Sequence, residues 1–130
     1  MSLPSCRQMV IAACIATGSS VACTRPFDAD LVVEPIQVDR VDVRLLATVP
    51  PQASAHVVGV IGDGCATIHS VRQVRAGNAV TVTILRQRPR VAVCIQIALR
   101  YDDVIRLDGV FPSGDYVVRV NGIERAFAVP

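Results

Sequence analysis

Gly114-Asp115-Tyr116-Val117-Val118-Arg119-Val120-Asn121-Gly122-Ile123-Glu124-Arg125-Ala126-Phe127-Ala128-Val129 decides the fold. Tyr116, Val118 and Val120 alternate with Val117 and Arg119, the period-2 pattern of a half-buried strand. Asn121-Gly122 follows, and Ile123 to Val129 returns. A two-residue type I′ turn needs φ > 0 at both central residues. Glycine adopts that region freely, and asparagine tolerates it better than other side chains do. The stretch therefore predicts a β-hairpin with Val120 opposite Ile123. A one-residue slip would turn both apolar rows to the wrong face. On conformational grounds alone, Asn121→Gly is expected to be nearly neutral.

Upstream, strand signals recur at short intervals. Val80, Val82 and Ile84 alternate with Thr81 and Thr83. Cys65 to Arg75 predicts a strand leading into Ala76-Gly77-Asn78. Gly62-Asp63-Gly64 is a turn signal, and Ala55 to Ile61 is apolar on both parities, as a central strand often is. In Ile36 to Val49 the apolar phase slips at Asp39-Arg40, which predicts a bulge or a strand crossing between two sheets. Pro50-Pro51 ends that strand. Arg86 to Arg90 predicts an exposed loop. Val91 to Leu99 predicts a buried strand, Val104 to Leu107 a shorter one, and Gly109 to Gly114 a turn. The 23 valines and 10 isoleucines reinforce strand over helix.

Seven to eight short strands with regular turns predict an all-β, immunoglobulin-like antiparallel β-sandwich over residues 36–130. Tyr116 then fits either a core aromatic or a tyrosine corner, whose hydroxyl bonds back to upstream backbone. The tryptophan of antibody-type domains is missing. The chain's 130 residues suit one domain, and 52% hydrophobic content excludes a mainly disordered chain.

The N-terminus predicts a cleaved signal peptide over residues 1–22. Arg7 precedes the apolar run Met9 to Thr17, and small residues follow up to Cys23. That run is too short for a spanning helix, which needs about 20 residues. Ser20-Val21-Ala22 fits ordinary signal peptidase. Ser20-Val21-Ala22-Cys23 also resembles a bacterial lipobox, with Ser20 where leucine is preferred. Cys23 is therefore the expected lipid acceptor, and residues 23–35 the tether. Leu31-Val32-Val33 is apolar enough to join the fold. Acyl chains contribute about 0.8 kcal/mol per buried CH₂, so several would anchor the domain to a membrane. The expected location is the bacterial cell envelope, with a soluble periplasmic or secreted form as the alternative.

Five cysteines divide consistently with this. Cys6 and Cys14 leave with the signal and Cys23 takes lipid. Cys65 and Cys94 remain as one disulfide of an oxidising compartment, linking two strands. The chain-entropy model values such a loop at ~3.5 kcal/mol. Their spacing lacks the close pairing of a zinc site.

Asp63-Gly64-Cys65, Gly77-Asn78 before a Val/Thr strand, Arg88-Pro89 ahead of Val93-Cys94, and Gly114 to Gly122 together resemble a group of uncharacterised bacterial exported domains. Many of those look like lipoproteins with a C-terminal immunoglobulin-like sandwich. The similarity covers about residues 36–130. Ala66 stands where the group commonly has threonine. The resemblance implies fold and location, and carries over no catalytic residue.

Chemistry is sparse. All 13 basic residues are arginine, which excludes lysine-amine chemistry, and they face 11 acidic residues. So even a balance, without aromatics interleaved among the arginines, argues against nucleic acid as a partner. His56 and His69 lack an oriented nucleophile; Ser70 adjoins His69, but strand neighbours face opposite ways. Asp102, Asp103 and Asp108 fall short of the six to eight oxygens calcium needs, and read as a solvated turn. Arg86, Arg88 and Arg90 form the densest charge cluster. They suit an anion or an acidic partner; the plainer reading is a solvated loop. No catalytic residue, cofactor or metal is expected. The expected function is a non-enzymatic envelope module that binds a protein or glycan or serves structurally. A small inhibitor presenting a rigid loop over Gln87 to Val91 is the alternative, ahead of an unrecognised enzyme.

Overall fold

The computed structural model describes residues 30–130. The expected signal segment 1–22, Cys23 and most of the expected tether lie outside them. Eight strands follow in order: β1 (Leu31–Pro35), β2 (Gln37–Leu46), β3 (Gln52–Gly62), β4 (Thr67–Ala76), β5 (Ala79–Pro89), β6 (Leu99–Arg106), β7 (Gly114–Val120) and β8 (Ile123–Val129). They form two sheets of a β-sandwich. One sheet has the order β2-β3-β6. The other centres on β5, with β4 along one side and β1 and β7 sharing the opposite side; β8 lies beyond β7.

The core follows from the period-2 rule. Val80, Val82 and Ile84 of β5, Val118 and Val120 of β7, and Ala53, Ala55 and Val57 of β3 are fully buried. Phe111 is also fully buried, from the β6–β7 connection. It meets Tyr116 and Phe127 edge-on at centroid distances of 5.1 and 5.7 Å. Such aromatic pairs contribute about 0.5–1.5 kcal/mol beyond the area they bury. The Arg75 guanidinium covers the Phe111 ring at 4.3 Å. The Tyr116 hydroxyl donates to the Pro112 carbonyl at 2.6 Å. Tyr116 is thus both a core aromatic and a tether for the chain entering β7.

The phase slip upstream has two parts. The chain leaves one sheet at the end of β1 and enters the other at β2, with buried Ile36 as the crossing residue. Its amide donates to the Ile84 carbonyl at 3.1 Å. Asp39 is then the extra residue of a bulge, where the β2–β3 register shifts between Val38 and Arg40. Gly59 lies opposite Val38, and a Cβ on it would sit 2.1 Å from the Gln37 carbonyl oxygen. Only glycine fits so close to another backbone.

Four expectations need correction. Residues 31–35 are strand rather than tether: β1 pairs antiparallel with β5 from Leu31↔Pro89 to Pro35↔Leu85. Arg86 to Pro89 accordingly belong to β5 rather than to an exposed loop. The sandwich is not wholly antiparallel, because β7 runs parallel to β5 from Ala79↔Val117 to Val82↔Val120. Most consequentially, Val91 to Ala98 is not a buried strand. It is irregular, and Val91 and Val93 are 91% and 104% exposed. Apolar alternation selects a face but cannot supply a vacant neighbour. β5 is occupied on both sides, and β3 is already flanked by β2 and by β6, which starts only at Leu99.

Candidate functional site

The densest constellation lies where the β3–β4 turn meets the β5–β6 connection. Gly62 opens the turn with φ 149°, a value that favours glycine. Asp63 shapes the rest: its Oδ1 accepts from the Cys65 amide at 3.1 Å, and its carbonyl accepts from the Ala66 amide at 3.1 Å. Such side-chain bonds to backbone two residues on are a habit of aspartate. Cys65 bonds Cys94, with Cα atoms 5.4 Å apart. The pairing is as expected, but neither cysteine is in a strand; the bond links a turn to an irregular connection. Beside it, the Gly64 amide donates to the Ile95 carbonyl at 2.9 Å.

The three expected arginines adjoin this corner, and each meets a carboxylate. Arg86 donates to Glu34 Oε2 at 2.8 Å and to the Ile61 carbonyl at 2.7 Å. Arg88 donates to Asp63 Oδ2 at 2.6 Å, and the same nitrogen lies 4.0 Å from Cys94 Sγ. Arg90 donates to Asp30 Oδ2 at 2.7 Å. The positive charge is therefore locally offset. Exposed pairs such as Arg90–Asp30 contribute about 0–1 kcal/mol, whereas Arg88–Asp63 is part-buried. The acids were less visible in the sequence than the arginines. The β1–β5 register sets Glu34 opposite Arg86, and the β3–β4 turn brings Asp63 to Arg88.

The remaining candidates do not converge. His56 Nε2 contacts Asp102 Oδ1 at 2.5 Å in the three-stranded sheet. His69 Nδ1 contacts Gln87 Oε1 at 2.9 Å in the other sheet. Asp102 and Asp103 are strand neighbours and point to opposite faces. Among the described residues, Asp63, Cys65 and Cys94 are the one group near enough to hold a metal. Their sulfurs are bonded to each other and the carboxylate is paired with Arg88. The Tyr101 hydroxyl is pushed above its ordinary range, first by burial and second by Asp103.

Two features escaped the sequence reading. One is the Asn121 side chain. Its Oδ1 accepts from the Ile84 amide at 2.9 Å, and its Nδ2 donates to the Ile36 and Ile84 carbonyls at 3.0 and 2.9 Å. It fills the gap along β5 between the stretches paired with β7 and with β1. The other is the surface of the β5–β6 connection. Val91, Val93, Ile95 and Ile97 are all exposed, and residues 91–98 carry no charge.

These features define a small β-sandwich with a disulfide-stapled connection. Residues 55–129 match the ORF11 beta-sandwich domain, and the chain belongs to that family. Its relatives include the "Uncharacterized 10.2 kDa protein in HgiCIIM 5'region" of Herpetosiphon aurantiacus. That protein is 28% identical over 91 residues, which are 70% of this chain and 97% of the relative. The corresponding protein of the HgiBIM 5' region, from the same organism, is 30% identical over 79 residues, 61% of this chain and 96% of the relative. No solved structure matches the chain.

Proposed function

We propose that the protein is a non-enzymatic module of the bacterial cell envelope, anchored through lipid on Cys23, that binds a protein through the Val91–Ile97 connection. The exposed apolar row of this connection carries the reading. Contiguous apolar surface on a soluble domain commonly marks an interaction site. Residues 91–98 are uncharged, as protein interface cores are, and Arg88, Arg90 and Arg100 flank them in the chain. A glycan is the weaker choice, because Tyr101, Phe111 and Tyr116 are buried and Phe127 packs against the core. None of these four offers an open ring for a sugar to stack on. An inhibitor with its loop over Gln87 to Val91 is weaker too, since Gln87 to Pro89 are held in β5.

Two measurements test this. Cys23→Ala should move the protein from the membrane to the soluble fraction, with loss of the diacyl mass. A photo-crosslinker at Val93 in living cells should give one discrete protein adduct, absent when placed at exposed Arg44. Wild-type protein without lipid at Cys23 overturns the anchor. Identical adduct patterns at positions 93 and 44 overturn the binding surface.

A further inference from the structure

Residues 91–98 are tied to the rest of the domain at one corner. Two links to the β3–β4 turn lie side by side there: the Cys94–Cys65 bond and the Gly64 amide to the Ile95 carbonyl. Apart from the Arg88 contact to Cys94 Sγ, the other hydrogen bonds of the connection are internal, from the Ile97 amide to the Ile95 carbonyl and from Gln96 Nε2 to the Cys94 carbonyl. Both cysteines are only partly buried, so a reagent can approach. The two sulfurs also differ in surroundings. The Arg88 guanidinium lies 4.0 Å from Cys94 Sγ, and Asp63 partly offsets its charge. A neighbouring cation stabilises a thiolate, and the more stable thiolate leaves faster in exchange.

We propose that Cys65–Cys94 is a thiol–disulfide exchange site for a protein dithiol, and that its reduction releases the 91–98 connection. A thiolate of the dithiol attacks Cys65 Sγ and forms a mixed disulfide. The Cys65–Cys94 bond breaks, and its electron pair leaves on Cys94 as a thiolate beside Arg88. The second thiol of the dithiol loses its proton and attacks its own partner sulfur. That closes the dithiol's disulfide and expels Cys65 as a thiolate, which takes a proton from solvent. Two electrons pass from the dithiol to the cysteine pair. The exchange goes beyond the protein-binding role and does not require it.

The test uses the oxidised full chain. Brief exposure to glutathione, acid quench and alkylation should place glutathione on Cys65 and the alkyl group on Cys94, read peptide by peptide by mass spectrometry. After full reduction, the Gly64 amide should exchange hydrogen faster and protease should cut within 91–98. Two variants then separate electrostatics from structure. Asp63→Asn keeps the Oδ1 acceptor for the Cys65 amide but frees the Arg88 charge. Arg88→Gln leaves the Asp63 charge beside the sulfurs. Reduction by dithiothreitol should become faster in the first and slower in the second, each by roughly threefold or more. Both variants break the same ion pair, so a merely structural role would shift both rates the same way. Rates shifting together, glutathione on Cys94, or unchanged exchange at Gly64 would each overturn the inference. The adduct and exchange readouts use the wild-type chain, and they decide the matter even if a variant fails to fold.

Discussion

Two connections in this domain are built on opposite plans. Asn121-Gly122 joins β7 to β8 in two residues, with φ of 45° and 88°. Its asparagine also reaches into the sheet and satisfies backbone groups of Ile84 and Ile36. The Val91–Ala98 connection joins β5 to β6 with no regular structure, exposes its apolar side chains, and is held by a covalent bond. The backbone conformation of the first is written locally, although its asparagine bonds reach residues 37 and 85 positions away. The second depends on a partner sulfur 29 residues away. A connection held at a distance can be released by one chemical event, whereas a connection woven into a sheet cannot.

The comparison predicts that the staple is the larger single contribution. Cys65→Ala should cost about 2–5 kcal/mol, the usual loss for a disulfide in a small domain. Urea titration of wild type and variant measures it. A loss below that of any turn variant would mean that the 91–98 connection is held by contacts other than the bond.

Asn121→Gly comes next. Glycine accepts the same positive φ, so the substitution isolates the side chain's three hydrogen bonds. The Ile84 amide and the Ile36 carbonyl would lose this partner at a part-buried position, whereas the Ile84 carbonyl would keep the Ile36 amide. Each such loss costs about 1–3 kcal/mol when water cannot replace the bond. Partial hydration should hold the total to roughly 1–3 kcal/mol. A midpoint equal to wild type in urea would show that the turn conformation alone matters there, as the sequence implied.

That contrast marks what was legible and why. The hairpin, its Val120↔Ile123 register, the slip at Asp39 and the pairing of Cys65 with Cys94 could all be read in advance. Each rests on local conformational preference, on period-2 burial, or on counting cysteines. Asn121's second role was not legible, because it depends on β1 and β7 meeting β5 end to end. The ion pairs of Arg86, Arg88 and Arg90 were hidden for the same reason: their acids come from β1, the residue before it, and a distant turn. The apolar run from Val91 was legible as apolar, but the flanking of β3 and β5 on both sides was not.

The smallest expected effect is the most diagnostic for that last point. Val93 is 104% exposed, with nothing packed on its side chain. Val93→Asp should change stability by no more than about 0.5 kcal/mol, the range of ordinary surface substitutions. The same replacement at fully buried Val82 would force a carboxylate into the core, where an unpaired charge is strongly disfavoured. Equilibrium unfolding of the two variants side by side therefore reports which valine is inside. If Val93→Asp unfolds the domain as Val82→Asp does, the 91–98 run is a core strand after all. If it leaves stability intact while abolishing the adduct from a crosslinker placed at exposed Val91, the exposed row serves recognition rather than folding.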